Sequence, residues 1–120
     1  MNWDNIHHFK RSEFVCKCGC GQAEMDAAFI RKLETLRNEL RFPLRITSGY
    51  RCPDHNEKVS STGRTGPHTT GKAADLALSY NGARKALTLI SELFNGVGLN
   101  QKGESRFIHV DDLTRRIWTY

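Results

Sequence analysis

The residues best equipped for chemistry lie in two short stretches. One is Gly66-Pro67-His68-Thr69-Thr70-Gly71-Lys72-Ala73-Ala74-Asp75, the other Phe107-Ile108-His109-Val110-Asp111. Together they offer two imidazoles and a carboxylate in His68, Asp75 and His109. Neutral imidazole nitrogen and carboxylate oxygen suit zinc, and a site with three protein ligands and a fourth position left for water is the catalytic kind. Gly71 lets the backbone turn tightly between the first two groups, and Ala73 and Ala74 are small enough for neighbours to approach closely. Strand alternation would put Phe107, His109 and Asp111 on one face. On spacing alone the same residues also read as surface groups or satisfied core polar groups.

The elements that must position these groups can be read from periodicity. A helix is expected from about Met25 to Leu40, with Asp26 or Glu24 accepting from its first free amides. Met25, Phe29, Leu33, Leu36 and Leu40 form its buried stripe, and Phe42-Pro43 ends it. Leu44 to Ser48 reads as a strand with Leu44 and Ile46 inward. Pro53 to Pro67 reads as a long polar loop, a length associated with function or mobility. Lys72 to Leu78 should be a strand, with Ala73, Asp75 and Ala77 on one side. A second helix is expected over about Gly82 to Phe94, capped by Ser79 or Asn81, with Gly96 and Gly98 breaking the pattern. Phe107 to Val110 and Arg116 to Tyr120 read as strands. Two main helices flanking a small antiparallel sheet make an α+β domain.

At 120 residues the chain is expected to form one domain, residues 1–120. No apolar run is long enough to span a membrane, so no membrane insertion is expected. No basic start with an apolar core and cleavage site is visible, which points to synthesis in the cytoplasm. The net charge of +5 favours anionic surfaces such as nucleic acid, anionic lipid or cell-wall polymer, or simply keeps the surface soluble. A nucleic-acid zinc module is disfavoured, because there is no clustered basic helix and no finger-like Cys/His spacing.

Cys16, Cys18, Cys20 and Cys52 allow three readings. They could be small reduced thiols, a disulfide of Cys18 or Cys20 with Cys52, or a second zinc site. Cys16 and Cys20 have a usable three-residue gap for the last, although the run Cys-Lys-Cys-Gly-Cys is not the usual ligand spacing. His7 and His8 read as exposed and His55 as part of a turn.

The chain resembles the zinc D-alanyl-D-alanine carboxypeptidases and the phage L-alanyl-D-glutamate endopeptidases. The family pattern of His, two residues, Gly, one residue, Ala, one residue and Asp stands here as His68, Gly71, Ala73 and Asp75. Ser48-Gly49-Tyr50-Arg51 matches an upstream family segment, and Phe107-Ile108-His109-Val110-Asp111 the strand bearing the second His. Glu13 to Gly21 and Arg116-Ile117-Trp118 are similar to a small branch of the family. The resemblance runs from about Phe9 to Trp118.

It implies zinc (Zn2+) held by His68, Asp75 and His109, and the α+β fold shared with the Hedgehog signalling domain. It implies a D-amino-acid-containing stem or cross-link peptide of peptidoglycan as the partner, bound by a monomer and not by way of nucleic acid. Arg51 takes the place of the family arginine that binds a substrate oxygen, where a fixed cation would stabilise an oxyanion. Two positions depart from the pattern. Gly66 stands where many members have Ser, and Arg106 where many have an acidic general base. Glu104 and Asp111 are the remaining candidates for that role, Asp111 also as the group that orients a ligand histidine. The expected role is cell-wall peptide hydrolysis in phage lysis or wall remodelling, acting in the periplasm after release or delivery. The rival expectation is a zinc-bearing wall-binding module without catalysis.

Overall fold

The computed structural model describes residues 1–120. Three helices and five strands make up the fold: α1 (Ala27–Leu40), β1 (Ile46–Ser48), α2 (Pro53–Val59), β2 (Ala73–Leu76), α3 (Tyr80–Leu93), β3 (Gly96–Asn100), β4 (Phe107–Asp111) and β5 (Arg116–Thr119). The strands form one sheet in the order β1-β2-β4-β3-β5. The α+β class is as the sequence suggests, but the sheet is mixed. The three pairs from β1 to β3 are antiparallel, whereas β3 and β5 are parallel, with Gly96 beside Arg116. The reason is topological. After β4 the chain turns through Asp112–Arg115 around the start of β3, so β5 opposes β4 in direction and therefore runs with β3.

α1 begins where Asp26 accepts the Phe29 amide at 3.0 Å, satisfying one of the first-turn donors that no carbonyl can reach. Its apolar stripe buries Phe29, Ile30, Leu33 and Leu36. α3 contributes Ala83, Ala86 and Ile90, and the two helices meet where Phe29 tilts against Phe94 at 5.5 Å. These side chains share one core with Ala74, Leu76, Val97, Ile108 and Val110, the residues of one sheet face.

The opposite sheet face carries the chemistry. The registers align Asp75, His109, Gly98 and Trp118 in one row, and Ala73, Asp111, Gly96 and Arg116 in the next. The helix ends before Gly96 and Gly98, as expected, but these glycines then occupy alternate positions of a strand, β3, on this crowded face. A Cβ at Gly96 would lie 2.1 Å from Asp111 Oδ1, and one at Gly98 2.5 Å from the Trp118 ring.

The expected loop over Pro53–Pro67 is also corrected. It contains α2 and the 3-10 turn Gly63–Thr65, and a further 3-10 turn, Pro67–Thr70, begins at its last residue. Proline suits the first helical position, where its missing N–H costs nothing and its φ is already helical. The helix buries Asn56 alone, so no apolar period marks it in the sequence.

Gly98→Ala should cost about 1–3 kcal/mol through overpacking and displace Trp118. Denaturant unfolding and the near-ultraviolet circular dichroism of a Trp3→Phe background would read the two effects. Phe29→Ala, which opens the core beneath the other face, should cost about 3–5 kcal/mol and leave the Trp118 signal unchanged in the folded state.

Candidate metal centre

β2 and β4 pair so that Asp75 stands directly opposite His109. His68 reaches the same point from the 3-10 turn Pro67–Thr70, which Gly71 closes at φ +76°. The ligand atoms of His68, Asp75 and His109 lie within 4.8 Å of one another, and all three residues are buried. His109 Nδ1 is 3.0 Å and His68 Nε2 3.4 Å from Asp75 Oδ1.

The outer atoms of both rings are held from behind. His68 Nδ1 lies 2.8 Å from the Gly49 carbonyl oxygen. A carbonyl only accepts, so Nδ1 carries a proton and Nε2 of the neutral ring presents a lone pair. His109 Nε2 lies 2.7 Å from Asp111 Oδ2. Asp111 is fully buried, yet Arg116 engages both its oxygens, at 3.3 and 3.0 Å, and the Leu113 amide adds a third donor at 3.0 Å. Burial alone would raise the Asp111 pKa, but His109, this amide and Arg116 outweigh it and hold it below the carboxylate norm. As a carboxylate it accepts from Nε2–H, leaving Nδ1 as the inward atom of the neutral His109 ring.

Burial likewise works to raise Asp75, and the adjoining imidazoles reverse this, holding it well below the usual range. His109 is pushed the other way: burial lowers its pKa, but Asp111 and Asp75 together raise it. With no metal bound, the raised His109 pKa favours a protonated ring beside the ionised Asp75, and a metal ion would take the place of that proton. With both rings neutral, His68 Nε2, Asp75 Oδ1 and His109 Nδ1 would present three donor atoms to one cation. Bonds of about 2.0–2.1 Å in a tetrahedron place ligand atoms about 3.3 Å apart, so the donor set fits a metal ion of zinc's size and preference.

Arg51 joins this group, its Nη2 3.9 Å from Asp75 Oδ2. The sequence gives no sign of what holds it: Nη1 donates to Asn56 Oδ1 on α2 at 3.1 Å. Asn56 is itself buried and donates to Thr62 Oγ1 at 2.9 Å. The Arg51 amide donates to the His68 carbonyl, so the Gly49–Arg51 segment grips His68 at both ring and backbone. Gly66 has a local cause, since a Cβ there would sit 2.0 Å from Thr62 Oγ1.

A cleft of about 420 Å³ opens over the three donors, lined also by Arg51, Phe107, Trp118 and Tyr120. Trp118 lies 5.2 Å from the His109 ring, and Arg116 sits over Trp118 at 4.5 Å. An adjoining groove of about 590 Å³ shares Arg51, Asp75 and Phe107 and includes Glu104 and His55. Glu104 is exposed in that adjoining groove, Asp111 is buried beneath His109, and neither lines the cleft over the donors. Arg106 bonds to the Gly103 carbonyl and stacks over Tyr80 at 4.5 Å. No helix is long and apolar enough to cross a membrane.

Comparison with known proteins agrees with this geometry. A search of the curated proteins finds no match. A family profile described as Peptidase M15 matches residues 7–111, a span that includes the Cys16–Cys20 run, Arg51, all three candidate ligands and Asp111. The chain belongs to the Peptidase M15 family of hydrolases.

Proposed function

We propose that the protein is a zinc metallopeptidase that hydrolyses a peptide bond involving D-amino acids in bacterial peptidoglycan. Support comes chiefly from one observation: three buried lone-pair donors, His68 Nε2, Asp75 Oδ1 and His109 Nδ1, converge at the floor of a cleft in a Peptidase M15 chain. These residues would hold the ion. Zinc bound there supplies Lewis acidity, polarising a carbonyl and acidifying water.

The chain's own groups do the rest. Arg51, braced by Asn56, faces the cleft and stabilises the negative charge that grows on the carbonyl oxygen under attack. Glu104, in the adjoining groove that Arg51 and Asp75 also line, takes the proton of the attacking water and returns it to the leaving amine. Asp111 keeps His109 in one tautomer and one orientation, the usual task of a carboxylate behind a ligand histidine. The aromatic wall packs against the substrate backbone or side chains. The lysis or wall-remodelling role follows from this substrate class, with action on the periplasmic wall after release or delivery.

A second reading keeps the ion and drops the reaction: a wall-binding module. It draws support from Arg106, which stands where an acid would be expected and is engaged with Tyr80. Digestion of purified peptidoglycan, followed by mass spectrometry of the fragments, separates the two. New peptide termini that vanish with a chelator and return with zinc support the peptidase. Stoichiometric zinc with intact wall peptides supports the binding module. His68→Ala should abolish cleavage; cleavage at the wild-type rate would refute the metallopeptidase.

Arg51→Ala should lower kcat by about 10²–10³-fold, the cost of losing one oxyanion donor. Glu104→Gln and Asp111→Asn should differ in kind. Glu104→Gln should lose turnover with zinc affinity intact. Asp111→Asn should weaken zinc affinity by about 10–100-fold and regain activity when zinc is added. Zinc titration of both variants alongside kinetics checks the assignment.

A further inference from the structure

A second cluster of metal-ligating side chains lies outside the centre just described. Cys16, Cys18 and Cys20 precede α1, and Cys52 stands at the head of α2. All four sulfurs lie within 4.8 Å of one another. Cys18 Sγ is 3.5 Å from Cys16 Sγ and 3.6 Å from Cys52 Sγ. These are not disulfide distances, which are about 2.05 Å, and all four cysteines are free. Four thiolates on a tetrahedral ion at about 2.3 Å would place their sulfurs about 3.8 Å apart. The contacts approach that edge length.

The surroundings suit thiolates. The Cys52 amide donates to Cys16 Sγ at 3.3 Å and the His55 amide to Cys52 Sγ at 3.5 Å. Such bonds spread thiolate charge and orient ligands. The unusual spacing is resolved by the backbone. The Cys-Lys-Cys-Gly-Cys run is neither helix nor strand but a series of turns, closed where the Cys16 amide donates to the Gln22 carbonyl at 2.8 Å. Turning lets alternate residues converge where a strand could not. Two of the thiols are buried and two exposed, so one side anchors the site and the other admits an ion.

We propose that Cys16, Cys18, Cys20 and Cys52 bind one structural zinc ion as a four-thiolate site, and that this ion fastens the segment bearing Arg51. The thiols release their protons to solvent on binding. Thiolates select soft ions, and a closed tetrahedral sulfur set is the structural form of zinc site. Cys52 directly follows Arg51, and the Tyr50 amide is already bonded to the Phe14 carbonyl at 2.9 Å. The ion would therefore tie the arm before α1 to the Gly49–Arg51 segment, whose Gly49 carbonyl also orients His68. The site stands independently of the His68–Asp75–His109 assignment.

Zinc content and zinc-edge X-ray absorption on the full chain, purified without chelator, test it. A His68→Ala/His109→Ala variant should keep one zinc per chain, with a sulfur-only shell at about 2.3 Å. A Cys18→Ser/Cys20→Ser variant should lose that ion. If the wild type holds a single all-sulfur zinc, this site stands and the histidine centre fails. If the His68→Ala/His109→Ala variant holds no zinc, and its thiols titrate freely or are joined in disulfides by intact mass, the site is refuted. Hydrogen exchange tests the clamp. Amides of Tyr50–Cys52 should exchange at least tenfold faster in the serine variant while β2 and β4 stay protected; unchanged protection overturns it. Should the serine variant fail to fold, exchange in the His68→Ala/His109→Ala variant before and after zinc ejection by a thiol-reactive mercurial reads the same outcome.

Discussion

The carboxylate of Asp75 is caught between two imidazoles, and much of the structure exists to keep it there. Its oxygen faces one ring nitrogen at 3.0 Å and another at 3.4 Å. Neither ring can turn away, because the Gly49 carbonyl and the Asp111 carboxylate hold their far nitrogens. Burying such a group without a compensating cation is costly. The two imidazoles and, at 3.9 Å, the Arg51 guanidinium offset part of that cost, and the Asp75 carboxyl stays well below the usual range. Donors fixed in this way are preorganised for a cation.

The division of the sheet into two faces makes this possible. Leu76, Ile108, Val110 and Val97 give one face to the helices and the apolar core. The other face carries Asp75, His109, Asp111, Arg116 and Trp118 beside the small Ala73, with Gly96 and Gly98 in β3 where a side chain would collide with Asp111 and Trp118. Because residues alternate, each ligand on β4 is flanked by core residues that lock its strand in register, and a slip of one residue would put His109 into the core. The rigidity of the centre is thus borrowed from hydrophobic packing on the reverse side.

What the sequence reveals follows the same logic. His68, Gly71, Ala73 and Asp75 are legible because they lie close together in the chain in a spacing that resembles a family pattern, with Gly71 supplying the left-handed turn between the ligands. The helices α1 and α3 are legible because each buries a continuous stripe. α2 is hidden because its one buried side chain is polar: Asn56 reads as a turn former, and only its contact with Arg51 shows why it is inside. β3 is hidden because Gly96 and Gly98 read as breakers until the bulk of Asp111 and Trp118 opposite them is known. That Asp111 is buried against His109 Nε2 while Glu104 is exposed is likewise not encoded in spacing.

The strand order has a kinetic side. β4 lies at the centre of the sheet, between β2 and β3, yet follows both in the chain. It carries His109 and Asp111. β3 and β4 are neighbours in the chain and pair antiparallel, but joining β4 to β2 brings together Asp75 and His109, 34 residues apart, and such non-local pairing is slow compared with helix formation. A nascent or partly folded chain therefore presents His68 and Asp75 without their third partner. The complete donor set comes into being only when β4 pairs with β2, so any activity dependent on it requires the assembled sheet and is absent from either part alone.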